Sequence, residues 1–145
     1  MPVLTGIHHV KYPVSDLAIS REWYERVLGY RVAFDFPDEH GVVKGVGGFV
    51  EGLAVPISLQ ENPAAAAGAA AGFDPVCFSI ADRAAADEWA ARLTELGVEH
   101  SGVIDGTRGW RVIFRDPDGT EIRLYSTSDQ DAQDHTDKPG YARMV

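Results

Sequence analysis

The feature that most constrains the fold is an internal repeat, whose first copy spans residues 7–29, IHHVKYPVSDLAISREWYERVLG. This copy opens with a β-branched and aromatic run, which predicts a strand over residues 7–14. Asp16 is a typical helix N-cap, and Gly29 suits the left-handed conformation in which many helices end. Between them, apolar side chains recur every four residues, as on the buried face of a helix: Ile19, Trp23 and Val27.

The second copy spans residues 75–97, PVCFSIADRAAADEWAARLTELG. Asp82 and Trp89 repeat the Asp16 and Trp23 of the first copy at one constant offset, and Gly97 provides the stop after a two-residue insertion. The predicted apolar face of this helix is Trp89, Leu93 and Leu96. Because the order of cap, tryptophan and glycine is shared, we interpret the two stretches as copies of one duplicated unit.

Short strand patterns follow each helix. In the first half they cover residues 30–36, 42–49 and 53–60, although Pro56 weakens the third because proline lacks the N–H that a ladder needs. In the second half they cover residues 99–101, 110–115 and 121–126. Residues 116–119, DPDG, have the chemistry of a type I turn. Each half is therefore predicted to be a βαβββ module.

The 145 residues suit one domain with a shared core, which we place at residues 1–126. Module 1 covers about residues 5–60 and module 2 about residues 73–126. Residues 61–72, ENPAAAAGAAAG, are compatible with a short helix, but their composition favours a solvent-exposed linker. Residues 127–145 are polar and rich in aspartate, which predicts a flexible tail.

Composition narrows the function classes. A net charge of −9 argues against binding nucleic acid or anionic membrane surfaces. The chain has no apolar run long enough to span a membrane and no signal region at its N-terminus, so a cytoplasmic protein is expected. Cys77 is the only cysteine, which excludes a disulfide framework, and its apolar strand predicts a buried, inert thiol.

The chain resembles the vicinal oxygen chelate superfamily, which holds glyoxalase I, bleomycin-resistance proteins, fosfomycin-resistance enzymes and extradiol dioxygenases. The resemblance rests on the motifs GIHHV at residues 6–10, VSDL at 14–17, WY at 23–24, LG at 28–29 and FRDPDG at 114–119. It covers both modules and leaves out the linker and the tail. The resemblance bears on the fold, and a shared fold does not by itself identify a reaction.

This resemblance implies an α+β fold in which two tandem βαβββ modules form a curved, half-open mixed sheet. Its concave face would form a ligand cavity, and the helices would lie on the convex side. Strand alternation places Val10, Tyr12 and Val14 toward the first helix and the residues between them toward the cavity. The predicted ligand-binding residues on the cavity side are Lys11, Ser58, Gln60, Cys77, Arg111, Ile113, Glu121, Arg123 and Tyr125.

Metal-binding members of the superfamily use histidine and glutamate at four equivalent strand positions. The resemblance places His9, Ser58, Pro75 and Arg123 there. A hydroxyl, a proline and a fixed cation do not replace carboxylate or imidazole ligands, so no metal and no other cofactor are predicted. If a divalent metal were bound, His9 and Glu121 would be its ligands. His8 is predicted to pack near the helix, and the remaining histidines are predicted to be solvated: His40, His100 and His135.

Two functions remain open at this point. The first is a metal-independent small-molecule binder of the bleomycin-resistance type, whose polar or anionic ligand is gripped by Arg123. The second is an enzyme of the lyase, isomerase or dioxygenase type. There His9 carries a proton, with Lys11 or Arg123 stabilising an oxyanion, or it belongs to a divalent metal site. A structural alternative is that Arg123 only pairs with Glu121. In either case a homodimer is expected, because a half-open sheet has edges that need covering.

Overall fold

The computed structural model describes residues 1–69, 74–106 and 109–126, which form two compact α+β units. The first unit contains β1 (Val10–Val14), α1 (Leu17–Leu28), β2 (Arg31–Pro37), β3 (Val43–Phe49), β4 (Ile57–Glu61) and α2 (Pro63–Ala69), together with the turn Asp116–Thr120. The second unit contains β5 (Cys77–Ile80), α3 (Arg83–Glu95), β6 (Ile104–Asp105), β7 (Trp110–Arg115) and β8 (Glu121–Ser126). The predicted α+β fold of two βαβββ modules is confirmed, and the first module carries an additional helix.

Each unit has its own four-stranded mixed sheet, and the two sheets share one topology. The strand order is β1-β4-β3-β2 in the first and β5-β8-β7-β6 in the second. In both, the strand before the helix pairs in parallel with the last strand, and the other pairs are antiparallel. The identical order supports the duplication inferred from the sequence.

The helix ends follow the predicted chemistry. Asp16 Oδ1 accepts a 3.0 Å hydrogen bond from the N–H of Ile19, and Asp82 Oδ1 accepts one of 2.9 Å from Ala85. Each bond satisfies a backbone donor that the first helical turn leaves without a partner. Gly29 ends α1 with a φ of 68°, a left-handed conformation that glycine adopts without steric cost.

The buried face of α1 differs from the predicted one. Ile19 is exposed and Trp23 is half-buried, whereas the buried residues are Leu17, Ser20, Tyr24, Val27 and Leu28. A spacing of four residues between apolar side chains is compatible with either of two neighbouring rows along the helix facing the core, the row with Ile19 and Trp23 or the row with Ser20 and Tyr24. Tyr24 decides between them, because its ring packs near Tyr12 in the core and its hydroxyl has a buried acceptor.

That acceptor is Asp116, the first residue of the DPDG turn. Asp116 Oδ2 accepts a hydrogen bond of 3.0 Å from the Tyr24 hydroxyl. Its Oδ1 accepts bonds of 3.0 and 2.9 Å from the N–H groups of Asp118 and Thr120, which fix the turn. Burial raises the pKa of the Asp116 carboxyl, and these hydrogen bonds oppose that rise. Asp118 accepts a further bond from the N–H of Ser15, so by its contacts the turn belongs to the first unit.

The predicted alternation of strand faces is confirmed by burial. On the side assigned to the core, the fully or almost fully buried side chains are Tyr12, Val14, Ile57, Leu59, Val112, Phe114, Ile122 and Leu124. On the other side, Lys11 and Cys77 are exposed, Arg111, Arg123 and Tyr125 are half-buried, and Ser58 and Glu121 are buried. The prediction of a buried Cys77 is therefore wrong. Its strand β5 lies at an edge of the sheet, and its side chain is on the polar face.

Three predicted strands change their bounds. Residues 7–9 precede β1, and His8 is exposed instead of packed near the helix. β4 begins directly after Pro56, as expected for a residue that cannot donate to a ladder. Residues 99–101 form an isolated antiparallel bridge between His100 and Phe114 instead of the full strand that was predicted, and β6 is Ile104–Asp105. Ser101 still contacts β7, but its hydroxyl takes the N–H of Ile113, so the ladder cannot continue.

Residues 63–69 form a helix, whereas the sequence favoured a linker over residues 61–72. The Asn62 side chain caps it by accepting from Ala65, and the alanines supply high helix propensity. His100 is half-buried instead of solvated, because it bonds to Thr94 and Gly102, whereas His40 is exposed as predicted. Residues 70–72 and the predicted tail with His135 lie outside the described residues. Within the described ranges, no helix is long and apolar enough to cross a membrane.

Candidate functional site

The face of the first sheet that is turned away from its core is built from two transverse rows of side chains. The β2–β3–β4–β1 pairing aligns Phe34, Gly47, Ser58 and Lys11 in one row. The neighbouring row contains Phe36, Gly45, Gln60 and Pro13. Residues directly opposite each other on paired strands have side chains on the same face. This face is therefore aromatic at the β2 edge and polar toward β4 and β1.

The aromatic part is a group of three partly exposed side chains, which we call the phenylalanine cluster: Phe34, Phe36 and Phe49. They are 52%, 46% and 42% exposed, respectively. The ring centroids of Phe34 and Phe49 lie 6.1 Å apart, with the two rings arranged edge to face. A Cβ added to Gly47 would lie 3.2 Å from the Phe36 ring and 3.3 Å from that of Phe34. The Phe34 and Phe36 rings thus lie so close to the backbone of Gly47 that a side chain at this position would crowd them.

The predicted polar residues of this unit occupy the other end of the face. Ser58 is buried, Lys11 is exposed, and Gln60 donates to the carbonyl of Lys44 at 2.9 Å. His9 is exposed, and its Nδ1 lies 3.0 Å from Nδ1 of His8. One of these two nitrogens must donate and the other accept, so the two rings orient each other.

The second unit brings together the remaining predicted residues on one face of its sheet. One transverse row contains Cys77, Arg123 and Ile113, and the next contains Ser79, Tyr125, Arg111 and Ile104. The Tyr125 phenol lies close to the backbone of Gly106, because a Cβ there would be 2.4 Å from the phenol oxygen. Although the Cys77 residue is exposed, partial desolvation of its thiol, together with the nearby Asp74 carboxylate, raises the pKa of that thiol, which disfavours a nucleophilic role.

Arg123 is engaged by two carboxylates. Its Nη2 and Nε lie 2.7 and 2.8 Å from Oε1 of Glu121, and Nε lies 3.5 Å from Asp74. The hydrogen bond to Glu121 raises the pKa of the guanidinium further, so the charge is fixed. The ion pair between Arg123 and Glu121, which is the structural alternative to ligand binding by Arg123, is therefore present.

Arg111 has a different environment. No carboxylate within the described ranges forms an ion pair with it, and its Nε is buried without a hydrogen-bond partner among those residues. A buried charged donor is costly unless an acceptor approaches it. The same face of the described part of the second unit thus carries Arg123, which is compensated, and two arginines without an ion pair, the half-buried Arg111 and the exposed Arg115.

The donor set does not fit a metal of the kind that the fold family implies. Pro75 has no ligand atom in its side chain, and Ser58 offers only a hydroxyl. The fourth position holds Arg123, whose cationic guanidinium forms an ion pair with the Glu121 carboxylate and so competes with a metal for it. Over the described residues, no group of three or more histidine, cysteine, aspartate or glutamate side chains is placed to hold a metal ion. We therefore derive no chemical step through a metal.

Sequence reasoning missed the phenylalanine cluster and the glycines beneath it. The signal was present in the segment VKGVGGF, where Gly45, Gly47 and Phe49 alternate on one face of β3. Glycine inside a strand often marks a place where a ligand or another backbone comes close. Gly48 is explained by backbone alone, since a Cβ there would lie 2.2 Å from the carbonyl oxygen of Arg31.

Comparisons with known proteins agree with this architecture. A family model described as glyoxalase/bleomycin resistance protein/dioxygenase superfamily matches residues 6–124. The search of curated proteins returned no match.

Solved structures with the same fold include proteins of different activities. A glyoxylase/bleomycin resistance protein/dioxygenase domain from Frankia sp. EAN1pec is 24% identical, with a TM-score of 0.70 over 86% of this chain and 98% of its own. TnmS3, an antibiotic-binding protein from Streptomyces sp. CB03234, is 24% identical, with a TM-score of 0.71 over 88% of this chain and 100% of its own. Lactoylglutathione lyase from Agrobacterium tumefaciens is 18% identical, with a TM-score of 0.64 over 85% and 94%.

At these identities the solved structures bear on the fold alone, whereas the family model spans most of the sequence. The chain belongs to the glyoxalase/bleomycin resistance protein/dioxygenase superfamily.

Proposed function

We propose that this protein is a metal-independent binder of small organic molecules of the bleomycin-resistance type. The observation that carries the proposal is the phenylalanine cluster over Gly47 on the polar face of the first sheet. Three exposed aromatic rings on one sheet face are costly in water and are typical of a surface that a ligand covers.

The composition of this face indicates the kind of ligand. Small-molecule sites combine apolar and aromatic walls with a few polar groups that fix orientation. Here the phenylalanine cluster supplies the wall, Gly45 and Gly47 let the side chains around them lie close to the sheet because they have no side chain of their own, and Ser58 and Gln60 supply the polar groups. The ligand we propose has a planar aromatic part that lies against the phenylalanine rings and a polar substituent.

Binding without turnover is the favoured activity because the described groups lack a catalytic arrangement. His9 touches only His8 among the described hydrogen-bonding partners, and Glu121 is occupied by Arg123. TnmS3, whose structure is similar, is an antibiotic-binding protein, so the fold is compatible with binding as an activity.

A panel of neutral fused-ring compounds, with 2-naphthol as the reference probe, tests this function by titration calorimetry. We expect saturable binding that weakens about tenfold or more when Phe34 and Phe36 are both replaced by alanine, because the apolar contact area is lost. Ile19→Ala is the matched control, since Ile19 is an equally exposed apolar side chain on α1. Mass spectrometry should recover the probe unchanged after incubation.

Absence of saturable binding across the panel would contradict the proposal, as would equal affinities for the parent protein and the double variant. A modified probe would establish an enzyme in place of a binder.

A further inference from the structure

We propose that Arg111 is the anion-recognising residue of the second sheet and that it selects a small organic carboxylate. The inference rests on the proposed small-molecule binding and adds the chemical class of the charged group that the face of the second sheet would take. It assigns to Arg111 the role that the sequence suggested for Arg123.

The first step is the charge balance of the two arginines. Arg123 has the Glu121 carboxylate at 2.7 Å and Asp74 at 3.5 Å, so an incoming anion would have to compete with two resident ones. Arg111 has no such competitor within the described ranges. In a protein with a net charge of −9, a half-buried and uncompensated cation is an available anion site.

The second step is burial. Other basic side chains of the two sheets without an ion pair in the described residues, Lys11, Arg31 and Arg115, are exposed, and water solvates them. Arg111 is only partly accessible, and its Nε is buried without a hydrogen-bond partner among the described residues. A ligand carboxylate at the partly accessible Arg111 side chain supplies the counter-charge that the described residues do not provide. In a partly desolvated position the charge-assisted bond between the two groups is stronger than at the surface.

The third step is the surroundings of Arg111 in its transverse row. Tyr125 and Ile104 are its cross-strand neighbours, and Ser79 follows beyond Tyr125. Ile113 lies two residues further along the same face of β7. The row thus offers a guanidinium fork and a serine hydroxyl between apolar and aromatic side chains. A planar carboxylate matches the fork with two parallel hydrogen bonds.

The experiment compares 2-naphthoate with its neutral analogue 2-naphthamide, which have the same ring and differ in charge. We expect the parent protein to bind the carboxylate about tenfold or more tightly than the amide, as a charge-assisted hydrogen bond implies. Arg111→Met should reduce this preference to about twofold or less, because it weakens the binding of the carboxylate more than that of the amide. The Nε–Hε resonance of Arg111 in NMR spectra should shift with 2-naphthoate and not with 2-naphthamide.

Arg115→Met is the matched control, because it removes the same charge from the same strand at an exposed position. It should keep the preference within about twofold of the parent, given that exposed charges are screened. Arg111→Lys keeps the charge without the fork and should retain part of the preference. If Arg111→Met does not fold, the resonance shift and the loss of preference at high salt still test the site in the parent protein.

Two results overturn the inference while leaving the proposed function intact: equal affinities for the two probes, or a carboxylate preference that survives in Arg111→Met. Loss of the preference in Arg123→Met, with Arg111→Met unaffected, would return the role to Arg123. If neither probe binds and 2-naphthol also fails to bind, the proposed function itself is wrong.

Discussion

The buried Asp116 carboxylate offers the sharpest test of how the fold is held together. Asp116→Ala removes the acceptor of three hydrogen bonds, from the Tyr24 hydroxyl and from the N–H groups of Asp118 and Thr120. Tyr24 and Thr120 are fully buried, so water cannot replace the lost partner at either donor. We expect the DPDG turn to lose its anchor on α1.

The magnitude follows from the donors that are left without a partner. A buried donor without an acceptor costs about 1–3 kcal/mol, and two of the three donors belong to fully buried residues. The variant no longer pays the desolvation cost of the carboxylate, which offsets part of this loss. We therefore expect Asp116→Ala to lower the free energy of unfolding by about 2–4 kcal/mol.

Two milder substitutions separate the contribution of the Tyr24 hydrogen bond to the free energy of unfolding from that of the two backbone hydrogen bonds. Tyr24→Phe removes one bond to a charged acceptor and should cost about 1.5–3 kcal/mol. Asp116→Asn keeps an oxygen for the two backbone donors and should cost less than Asp116→Ala. The assay is denaturant unfolding followed by circular dichroism, with the double variant Tyr24→Phe/Asp116→Ala closing the cycle. A free energy of unfolding for Asp116→Ala within about 0.5 kcal/mol of the parent would refute the reasoning, since that is the range of surface substitutions.

Four further predictions follow from the same structure. Burial raises the pKa of Asp116 above its ordinary 3.8, so the folded state binds the carboxyl proton more tightly than the unfolded state does. The free energy of unfolding of the parent, measured relative to that of Asp116→Asn, should therefore fall as the pH rises above 3.8. An increase over the same pH range would contradict this prediction. Gly48→Ala should lower the free energy of unfolding by about 1–3 kcal/mol, because its Cβ meets the Arg31 carbonyl, whereas Gly68→Ala in α2, where the space is open, should not destabilise. Elemental analysis of the purified protein should find no stoichiometric zinc, iron, nickel or manganese, and a chelator should leave the unfolding temperature unchanged; one metal per chain would oppose this. Light scattering should give the mass of a homodimer, and a monomer mass at micromolar concentrations would oppose that.

The sequence predicted well what depends on local chemistry and on periodicity. The caps Asp16 and Asp82 and the terminal Gly29 formed as expected, because each satisfies backbone groups of its own helix. The bounds of β7 and β8 agree with the predicted residues 110–115 and 121–126, since both strands alternate clearly between buried and polar residues.

The errors lie where a contact distant in sequence decides between local alternatives. Tyr24 instead of Ile19 faces the core because its hydroxyl bonds to Asp116, ninety-two positions along the chain. Cys77 is apolar by type, but its place on the polar face of an edge strand exposes it. The helix over residues 63–69 is a different case, because the Asn62 cap that begins it is a local contact, and composition alone did not decide between helix and linker.

The candidate site was predicted only in its polar part. Alternation placed Arg111, Arg123 and Tyr125 on one face correctly, because each strand was identified with the right parity. It gave no information on which arginine has a counter-ion, since that depends on side-chain geometry. The phenylalanine cluster was missed because Phe34 and Phe36 alternate as core residues do, and only the pairing with Gly47 and Gly45 identifies their face.

The most direct test of the proposed function is a map of where an aromatic ligand binds. Backbone amide NMR spectra should be recorded while 2-naphthol is titrated into the parent protein. We expect saturable shifts that centre on Gly45, Gly47 and the phenylalanine cluster and that disappear in the Phe34→Ala/Phe36→Ala variant. Shifts centred elsewhere, or shifts that persist unchanged in this variant, would show that the phenylalanine cluster is not the binding site.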